Sequence, residues 1–262
     1  MATKQSKTKT SSNKSKLSQA KPLTRHDKGK LIVYYGQSTS GKTTALEDSP
    51  KPMLLLTLGD DGSDSIDVEE YGDGITALDI EEYDELKPVL EELLQQQRAG
   101  KMKYKSIAID TFSLFTNLWI QKNSIDKNKR MSQQMWGDLK TDTEELIRMA
   151  HKLSSEALVF LTCHEVSDSF DGLEDEILPE VRPNVTKGAR TYLEGMANIG
   201  VHFVLMERET TNKKGKTVEE TAYVAHGGPN PYYWTKFQKP KSKVLPATVR
   251  NFSYAKLEKL MR

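Results

Sequence analysis

Residues 36–43 have the sequence G-Q-S-T-S-G-K-T and match the phosphate-binding pattern G-x-x-x-x-G-K-[S/T]. The glycines of this P-loop let the main chain bend around a triphosphate with its N–H groups directed inward. We expect the Lys42 amine to contact the β- and γ-phosphates and the Thr43 hydroxyl to bind Mg²⁺. The predicted nucleotide-binding residues are Gly36, Gln37, Ser38, Thr39, Ser40, Gly41, Lys42, Thr43 and Thr44.

The sequence on either side of the P-loop supplies the strand and the helix that the motif requires. Residues 31–35 are apolar, β-branched or aromatic and predict a buried strand. Residues 43–47 predict a helix that Ser49 and Pro50 end early, with its positive end at the phosphates. The alternative is a glycine- and serine-rich surface turn, which these flanks make the weaker interpretation. We therefore predict that the chain binds a nucleoside triphosphate.

Two acidic residues follow the next predicted strand. Residues 52–59 form an apolar run that leads directly into Asp60 and Asp61. Ligands of open α/β sheets bind at the carboxyl ends of strands, and a carboxylate there could orient the water that attacks a γ-phosphate. The alternative is that both acids begin a solvated loop. We predict that one of the two is catalytic.

A second diagnostic strand ends in Asp110. The run S-I-A-I-D-T, residues 106–111, has the form of a Walker B segment, whose carboxylate helps to hold Mg²⁺ at the P-loop hydroxyl. We predict that Thr43 and Asp110 form the metal site. Thr111 follows Asp110, which argues against enzymes that carry a catalytic glutamate beside this aspartate.

A further buried strand, residues 157–165, ends in polar residues. At this position Thr162 or His164 could sense the γ-phosphate through a hydrogen bond, and we predict this role for His164. The alternative is a structural histidine. Cysteine and histidine residues do not show zinc-binding spacing, so Mg²⁺ is the only metal predicted.

The remaining chain alternates between predicted strands and helices, which predicts an α/β fold with a mostly parallel central sheet flanked by helices. A C-terminal β-hairpin is expected from two runs on either side of residues 212–216. The other predicted elements are a strand at 75–80, helices at 81–98, 112–120, 138–154 and 187–196, hairpin strands at 199–206 and 221–226, and a closing helix at 252–262.

Aromatic residues outside these motifs have two interpretations. Trp119 and Trp136 are predicted to pack in the core, although Trp136 could instead stack on a base. Residues 227–243 mix aromatic side chains with lysines, a pattern that fits single-strand binding by stacking and phosphate contact. The alternative, which we favour slightly, is that the rings of this segment pack on the core.

Composition limits the class of protein further. The 262 residues carry a net charge of +1, and the one cysteine excludes an internal disulfide and favours a reducing compartment. An apolar run of about 18 residues, the length of a membrane span, is absent from the sequence. We therefore expect a cytoplasmic protein without a membrane partner.

The charge is distributed unevenly along the chain. Residues 1–28 are rich in lysine, serine and threonine, which predicts a disordered basic tail preceding one ATPase domain at residues 29–262. The tail could hold nucleic acid by neutralising phosphates, or it could be a solvated leader without a partner.

Taken in order, several segments resemble the phage-encoded RecA-like P-loop ATPases, minimal RecA-core proteins linked with recombination and single-strand annealing. The segments are G-Q-S-T-S-G-K-T-T, P-K-P-M-L-L-L-T-L-G-D-D-G, S-I-A-I-D-T-F-S-L-F, W-G-D-L, A-L-V-F-L-T-C-H-E and residues 178–206. The resemblance covers residues 29–246 and implies a RecA-like core that hydrolyses ATP with Mg²⁺. It also implies single-stranded DNA as partner and assembly into a ring or filament, with a single-strand-binding protein as a second candidate partner and the host bacterial cytoplasm as location.

The chain departs from that family in one respect. Relatives usually carry a catalytic glutamate after the second strand, where this chain has Asp60 and Asp61. The shorter side chain leaves two alternatives open, slow hydrolysis or hydrolysis that depends on a neighbouring subunit. The candidates for a trans-acting basic residue are Arg182, Lys187, Arg190 and Arg208.

Two other function classes compete with a DNA-dependent ATPase. One is a nucleotide-gated binding module with little turnover, which the aspartates after the second strand favour. The other is a small-molecule kinase, which normally carries an arginine-rich lid where this chain has an acidic segment at residues 168–180.

Overall fold

A computed structural model describes residues 30–59, 65–167, 181–211, 217–238 and 245–261, and for residues 68, 71, 207–211 and 217–220 it describes the main chain only. The strands are β1 (Leu31–Gly36), β2 (Met53–Leu58), β3 (Ile75–Ile80), β4 (Ser106–Asp110), β5 (Leu158–Cys163), β6 (Glu165–Ser167), β7 (Val181–Pro183), β8 (Ile199–Thr211), β9 (Thr217–His226), β10 (Lys236–Phe237) and β11 (Val249–Arg250). The helices are α1 (Val68–Tyr71), α2 (Tyr83–Arg98), α3 (Leu114–Ile120), α4 (Gln133–Leu153), α5 (Lys187–Met196) and α6 (Tyr254–Met261).

The strands of the main sheet run in the order β11-β9-β8-β1-β5-β4-β2-β3, and β10 pairs with β8. The pairs from β8 through β1, β5, β4 and β2 to β3 are parallel, whereas β8 and β9 form an antiparallel hairpin. The prediction of a mostly parallel sheet flanked by helices is confirmed, and the predicted hairpin is present. Since β5 lies between β1 and β4, the end of β5 separates the P-loop from Asp110.

Both faces of the sheet are covered, which explains why the strands are apolar without interruption. Alternate residues of β1 point to opposite faces: Leu31, Val33 and Tyr35 pack with the helices from α2 to α5. Ile32 and Tyr34 pack on the other face with residues of α6. All six residues of β1 are buried, so the P-loop extends from a rigid strand.

The element after the P-loop differs from its prediction. Residues Thr44–Leu46 form a single 3-10 turn rather than an α-helix. The Ala45 N–H still donates to the Gly41 carbonyl, but the next two N–H groups donate three residues back. Pro50 explains the short element, because a proline disfavours helical geometry at the residue before it and lacks an N–H. The helix-end contribution to anion binding is therefore smaller than predicted.

The segment between β4 and α4 also differs from its prediction. Helix α3 continues into a π-helical turn, Gln121–Ile125, beyond the predicted helix end at residue 120. Helix α4 begins at Gln133, five residues earlier than predicted, because the Ser132 hydroxyl accepts from the Met135 N–H and caps it. Trp136 is 48% exposed, so its prediction as a core residue is wrong. Trp119 is buried and donates to Asp142, as its core prediction requires.

Within the described ranges, none of the helices has the length and apolar character needed to cross a bilayer.

Candidate nucleotide site

The P-loop bends away from β1 through two glycines. A Cβ at Gly36 would lie 2.2 Å from the Phe203 carbonyl oxygen of β8, so only glycine fits beside that strand. Gly41 has a φ of +88°, a conformation that side chains disfavour. These two positions explain in physical terms why the pattern specifies glycine at each end of the loop.

Lys42 lies inside the loop with an exposure of only 6%. Its ammonium donates to the carbonyl oxygens of Gly36 at 3.1 Å and Gln37 at 2.6 Å. Burial lowers the pKa of Lys42, while the charges of Asp110 and Glu165 oppose that change. Among the described residues, this buried cation bonds main-chain and hydroxyl oxygens of its own loop, so it is chemically suited to contact an anion placed in that loop.

Asp110 connects the P-loop to the two strands beside it. Its Oδ2 accepts a hydrogen bond from the Thr43 hydroxyl at 2.7 Å, and its Oδ1 accepts from Thr162 and, at 3.2 Å, from Thr111. The carboxylate is 1% exposed. Hydroxyl and carboxylate oxygens are the ligands that Mg²⁺ prefers, so Thr43 and Asp110 fit the ion that accompanies a nucleoside triphosphate. Their assignment as metal residues stays a prediction that this geometry supports.

The remaining catalytic and sensor candidates are Thr162, His164, Asp60 and Asp61. Thr162 donates to Asp110, so the hydroxyl of this sensor candidate is already engaged. His164 follows β5 directly, and its N–H donates to the Ser113 hydroxyl at 2.8 Å. Asp60 and Asp61 lie outside the described residues, two and three positions after β2, whose Thr57 is in register with Asp110. The roles of His164 and of both aspartates stay predictions.

The candidates for a trans-acting basic residue separate by burial. Arg190 is 5% exposed and donates to the Val185 carbonyl, so it cannot extend to a neighbouring subunit. Arg182 lies 3.6 Å from the Glu194 carboxylate, and both side chains are largely buried. Lys187 is exposed at the start of α5. The side chain of Arg208 lies outside the described part of the chain.

Tyr223 is a residue of this site that no sequence motif predicted. It lies on β9, and its ring covers Gly41, where a Cβ would be 3.0 Å from the Tyr223 Cδ1 atom. The ring is 47% exposed and lines a cavity of about 300 Å³ together with residues 39–44 and Ser65. The residues next to Tyr223 in the sequence form no recognisable motif, because only the pairing of the hairpin strands brings Tyr223 to the P-loop.

The C-terminal aromatic residues mostly pack on the core, the alternative that we favoured. Trp234 is buried, and Tyr233 stacks on His202 with ring centroids 4.2 Å apart. Tyr232 is 59% exposed, and the lysines at 239, 241 and 243 lie outside the described residues.

A P-loop at the end of a buried strand, with a threonine bonded to an aspartate two strands away, defines a nucleotide-binding P-loop ATPase domain. More specifically, the chain belongs to the AAA_24 family of AAA domains, whose model matches residues 28–227 of the 262. Among curated proteins, none matches the chain.

Proposed function

We propose that this protein is a Mg²⁺-dependent ATPase that acts on single-stranded DNA in phage recombination or annealing, in the bacterial cytoplasm. The hydrogen bond between Thr43 and Asp110 is the observation that carries the ATPase part, because it brings both predicted magnesium residues together. Family membership supports the same activity. The DNA part rests on the resemblance to RecA-like ATPases and on the surface around Trp136.

In this proposal, each residue of the loop has a separate task. The main-chain N–H groups and Lys42 hold the triphosphate, while Thr43 and Asp110 hold the metal ion. When bound, Mg²⁺ neutralises charge on the β- and γ-phosphates. Thr162 keeps Asp110 oriented through its hydrogen bond to Oδ1. The hydroxyls of Thr43, Thr111 and Thr162 together fix the position of this buried carboxylate.

The candidate DNA surface lies where α4 begins. Trp136 is exposed on the first turn of α4, and Lys127, Lys129 and Arg130 are exposed in the preceding segment. Helix α4 ends at Leu153, shortly before β5 begins at Leu158, so α4 runs antiparallel to β5 and its start faces the carboxyl edge of the sheet. Its 21 residues span about 31 Å against about 20 Å for β5, so this start extends past that edge. Exposed aromatic and cationic groups together suit bases and phosphates of a single strand.

The test is the ATPase rate with and without single-stranded DNA for the wild type, Lys42→Ala and Trp136→Ala. We expect DNA to stimulate hydrolysis in the wild type and Lys42→Ala to abolish it. Because stacking on one base is worth about 1–3 kcal/mol, Trp136→Ala should weaken DNA binding roughly 5- to 150-fold, whereas Trp136→Phe should retain it. Lys87→Ala, which changes an exposed lysine paired with Glu145, is the control.

The outcomes separate the competing classes. Tight ATP binding with negligible turnover, with or without DNA, would support a nucleotide-gated binding module. Transfer of phosphate to a nucleotide or nucleoside would support a kinase and contradict the DNA proposal.

The basic tail has a test of its own. If residues 1–28 bind DNA by counterion release, their deletion should flatten the dependence of DNA affinity on salt concentration. An unchanged slope would mean that the tail has no such role. Sedimentation of the full chain with ATP and DNA would test the proposed assembly into rings or filaments.

A further inference from the structure

A carboxylate that no motif identifies stands near the P-loop. Glu165 lies two residues beyond the end of β5, at the start of β6. Since β5 pairs with β1 on one side and with β4 on the other, its carboxyl end lies between the P-loop and Asp110. The main chain of Glu165 therefore follows that end of β5, and its side chain reaches across the end of β1 to His202 of β8.

Glu165 is held by a buried histidine of β8. The His202 Nε2 atom lies 2.7 Å from the Glu165 Oε2 atom, and the histidine side chain is 1% exposed while that of Glu165 is 18% exposed. His202 pairs in register with Tyr35, the last residue before Gly36. Its ring contacts those of Tyr35, Tyr233 and His226, with centroid distances of 4.8 Å, 4.2 Å and 5.8 Å. These contacts leave the imidazole little freedom to turn.

The other ring nitrogen determines the protonation state. His202 Nδ1 is buried without a hydrogen-bond partner in the described part of the chain. An N–H at that position would be an unsatisfied buried donor, so the proton belongs on Nε2, where it is donated to Glu165. Burial also lowers the pKa of His202, against the opposing effect of Glu165. The His202 imidazole is therefore neutral and orients the Glu165 carboxylate.

The second oxygen of Glu165 is available. Hydrogen bonds between the described residues engage Oε2 and leave Oε1 without a donor, and the side chain remains partly open to water. The charge of Glu165 also acts on Lys42, whose pKa it raises against the larger effect of burial. Glu165 therefore favours the charged form of the cation that would hold the terminal phosphates.

We propose that Glu165, oriented by His202, is the general base that positions the attacking water for ATP hydrolysis. This inference rests on the ATPase function proposed above. The water oxygen bonds to the γ-phosphorus as the bond from that phosphorus to the β–γ bridging oxygen breaks. ADP leaves with the electron pair, and Glu165 takes the proton of the water and returns it to solvent. Glu165 contacts the reacting water, whereas His202 is a positioning residue.

The first test is Glu165→Gln, which preserves size and removes the base. Because a positioned general base contributes about 10²–10⁴-fold, we expect kcat to fall by at least 100-fold. Affinity for Mg·ATP, measured with a fluorescent analogue, should change less than twofold. Glu145→Gln, at an exposed ion pair with Lys87, is the control and should keep both values.

The second test separates positioning from a structural role. His202→Gln should lower kcat about tenfold with little change in ATP affinity, because Glu165 loses the donor that orients it. In the wild type, nitrogen NMR should place the His202 proton on Nε2. The double variant should lose no more kcat than Glu165→Gln alone, since His202 acts through Glu165.

Three outcomes would overturn the inference. Wild-type kcat in Glu165→Gln, together with loss of hydrolysis in Asp60→Asn or Asp61→Asn, would assign the base to the segment after β2. A lower melting temperature with unchanged kcat per folded molecule would make the pair structural. Wild-type hydrolysis no faster than that of Lys42→Ala, with ATP still bound, would remove the ATPase function itself.

Discussion

The two strands that flank β1 are β5 and β8, and they contribute different kinds of interaction to the site. On the β5 side, Thr162 bonds to Asp110, and the hydroxyls and carboxylate there are buried and directional. On the side of the β8–β9 hairpin, His202 and Tyr223 contribute aromatic rings, and the Tyr223 ring packs against Gly41 of the P-loop. We therefore propose that the first side handles metal and phosphate, whereas the rings of the second side line and support the cavity.

The largest effect is expected from breaking the β5 side with Asp110→Asn. The amide cannot supply the negative charge that Mg²⁺ requires, and it disturbs the hydrogen bonds from Thr43 and Thr162. We expect ATP hydrolysis to fall roughly 100-fold or more. ATP affinity should then respond weakly to added Mg²⁺, as titration calorimetry with and without the metal would measure. Asp84→Asn on the exposed face of α2 is the control, and a full magnesium response in Asp110→Asn would contradict the assignment.

A smaller effect is expected from Gly41→Ala, which presses the P-loop against the hairpin. The new Cβ would lie 3.0 Å from the Tyr223 ring, at a φ of +88°. Strain of this kind costs about 1–3 kcal/mol, so ATP affinity should fall roughly tenfold. For a chain of this size, each kcal/mol lowers the melting temperature by about 2–4 °C.

Gly137→Ala in α4 is the matched control for that substitution. A Cβ at Gly137 meets no atom within 4 Å, so alanine there should raise the melting temperature through its helix propensity. Equal changes of melting temperature in Gly41→Ala and Gly137→Ala would mean that the conformation of Gly41 does not require glycine.

Tyr223→Ala tests the hairpin side without strain. If the ring forms a wall for the base or ribose of the nucleotide, its removal should weaken ATP binding by about 2- to 13-fold, because aromatic packing is worth about 0.5–1.5 kcal/mol. Tyr223→Phe should retain affinity, since the ring and not the hydroxyl faces Gly41. Tyr232→Ala, at an exposed ring outside the cavity, is the control, and fluorescence titration with ATP is the measurement. Affinity unchanged in Tyr223→Ala would exclude this wall.

The smallest effect concerns the pH dependence of stability. Burial lowers the pKa of His202 below 6.5 in the folded state, although the hydrogen bond and charge of Glu165 oppose this. The unfolded state therefore binds more protons, and the free energy of unfolding should fall as pH decreases from 6.5 toward the lowered pKa. One such group changes stability by at most about 1.4 kcal/mol per pH unit.

Urea titrations between pH 5 and pH 8 would measure that dependence. His202→Gln should show a flatter curve than the wild type, while His151→Gln, at an exposed position of α4, should not. Identical curves for the wild type and His202→Gln would show that His202 does not titrate differently in the two states.

Some predictions from sequence succeeded because their signals are local. The P-loop strand, the strand before Asp110 and the hairpin were recognised from short apolar runs beside glycine or polar turns. The helix after the P-loop was not, because Pro50 shortens it to a 3-10 turn. The core prediction for Trp136 was wrong because a large aromatic side chain is usually buried, whereas α4 begins early at the Ser132 cap and carries Trp136 on an exposed turn.

Local chemistry along the chain was enough to establish the class of ligand and the fold, because a P-loop and the strand before it occupy adjacent residues. The pairing of distant residues was decided in three dimensions. Thr162 bonds to Asp110 across 52 positions, and Glu165 bonds to His202 across 37. Tyr223 reaches Gly41 because β9 folds back on β8. The physical reason is that sheet register, which depends on packing of the whole core, places the ends of separate strands side by side.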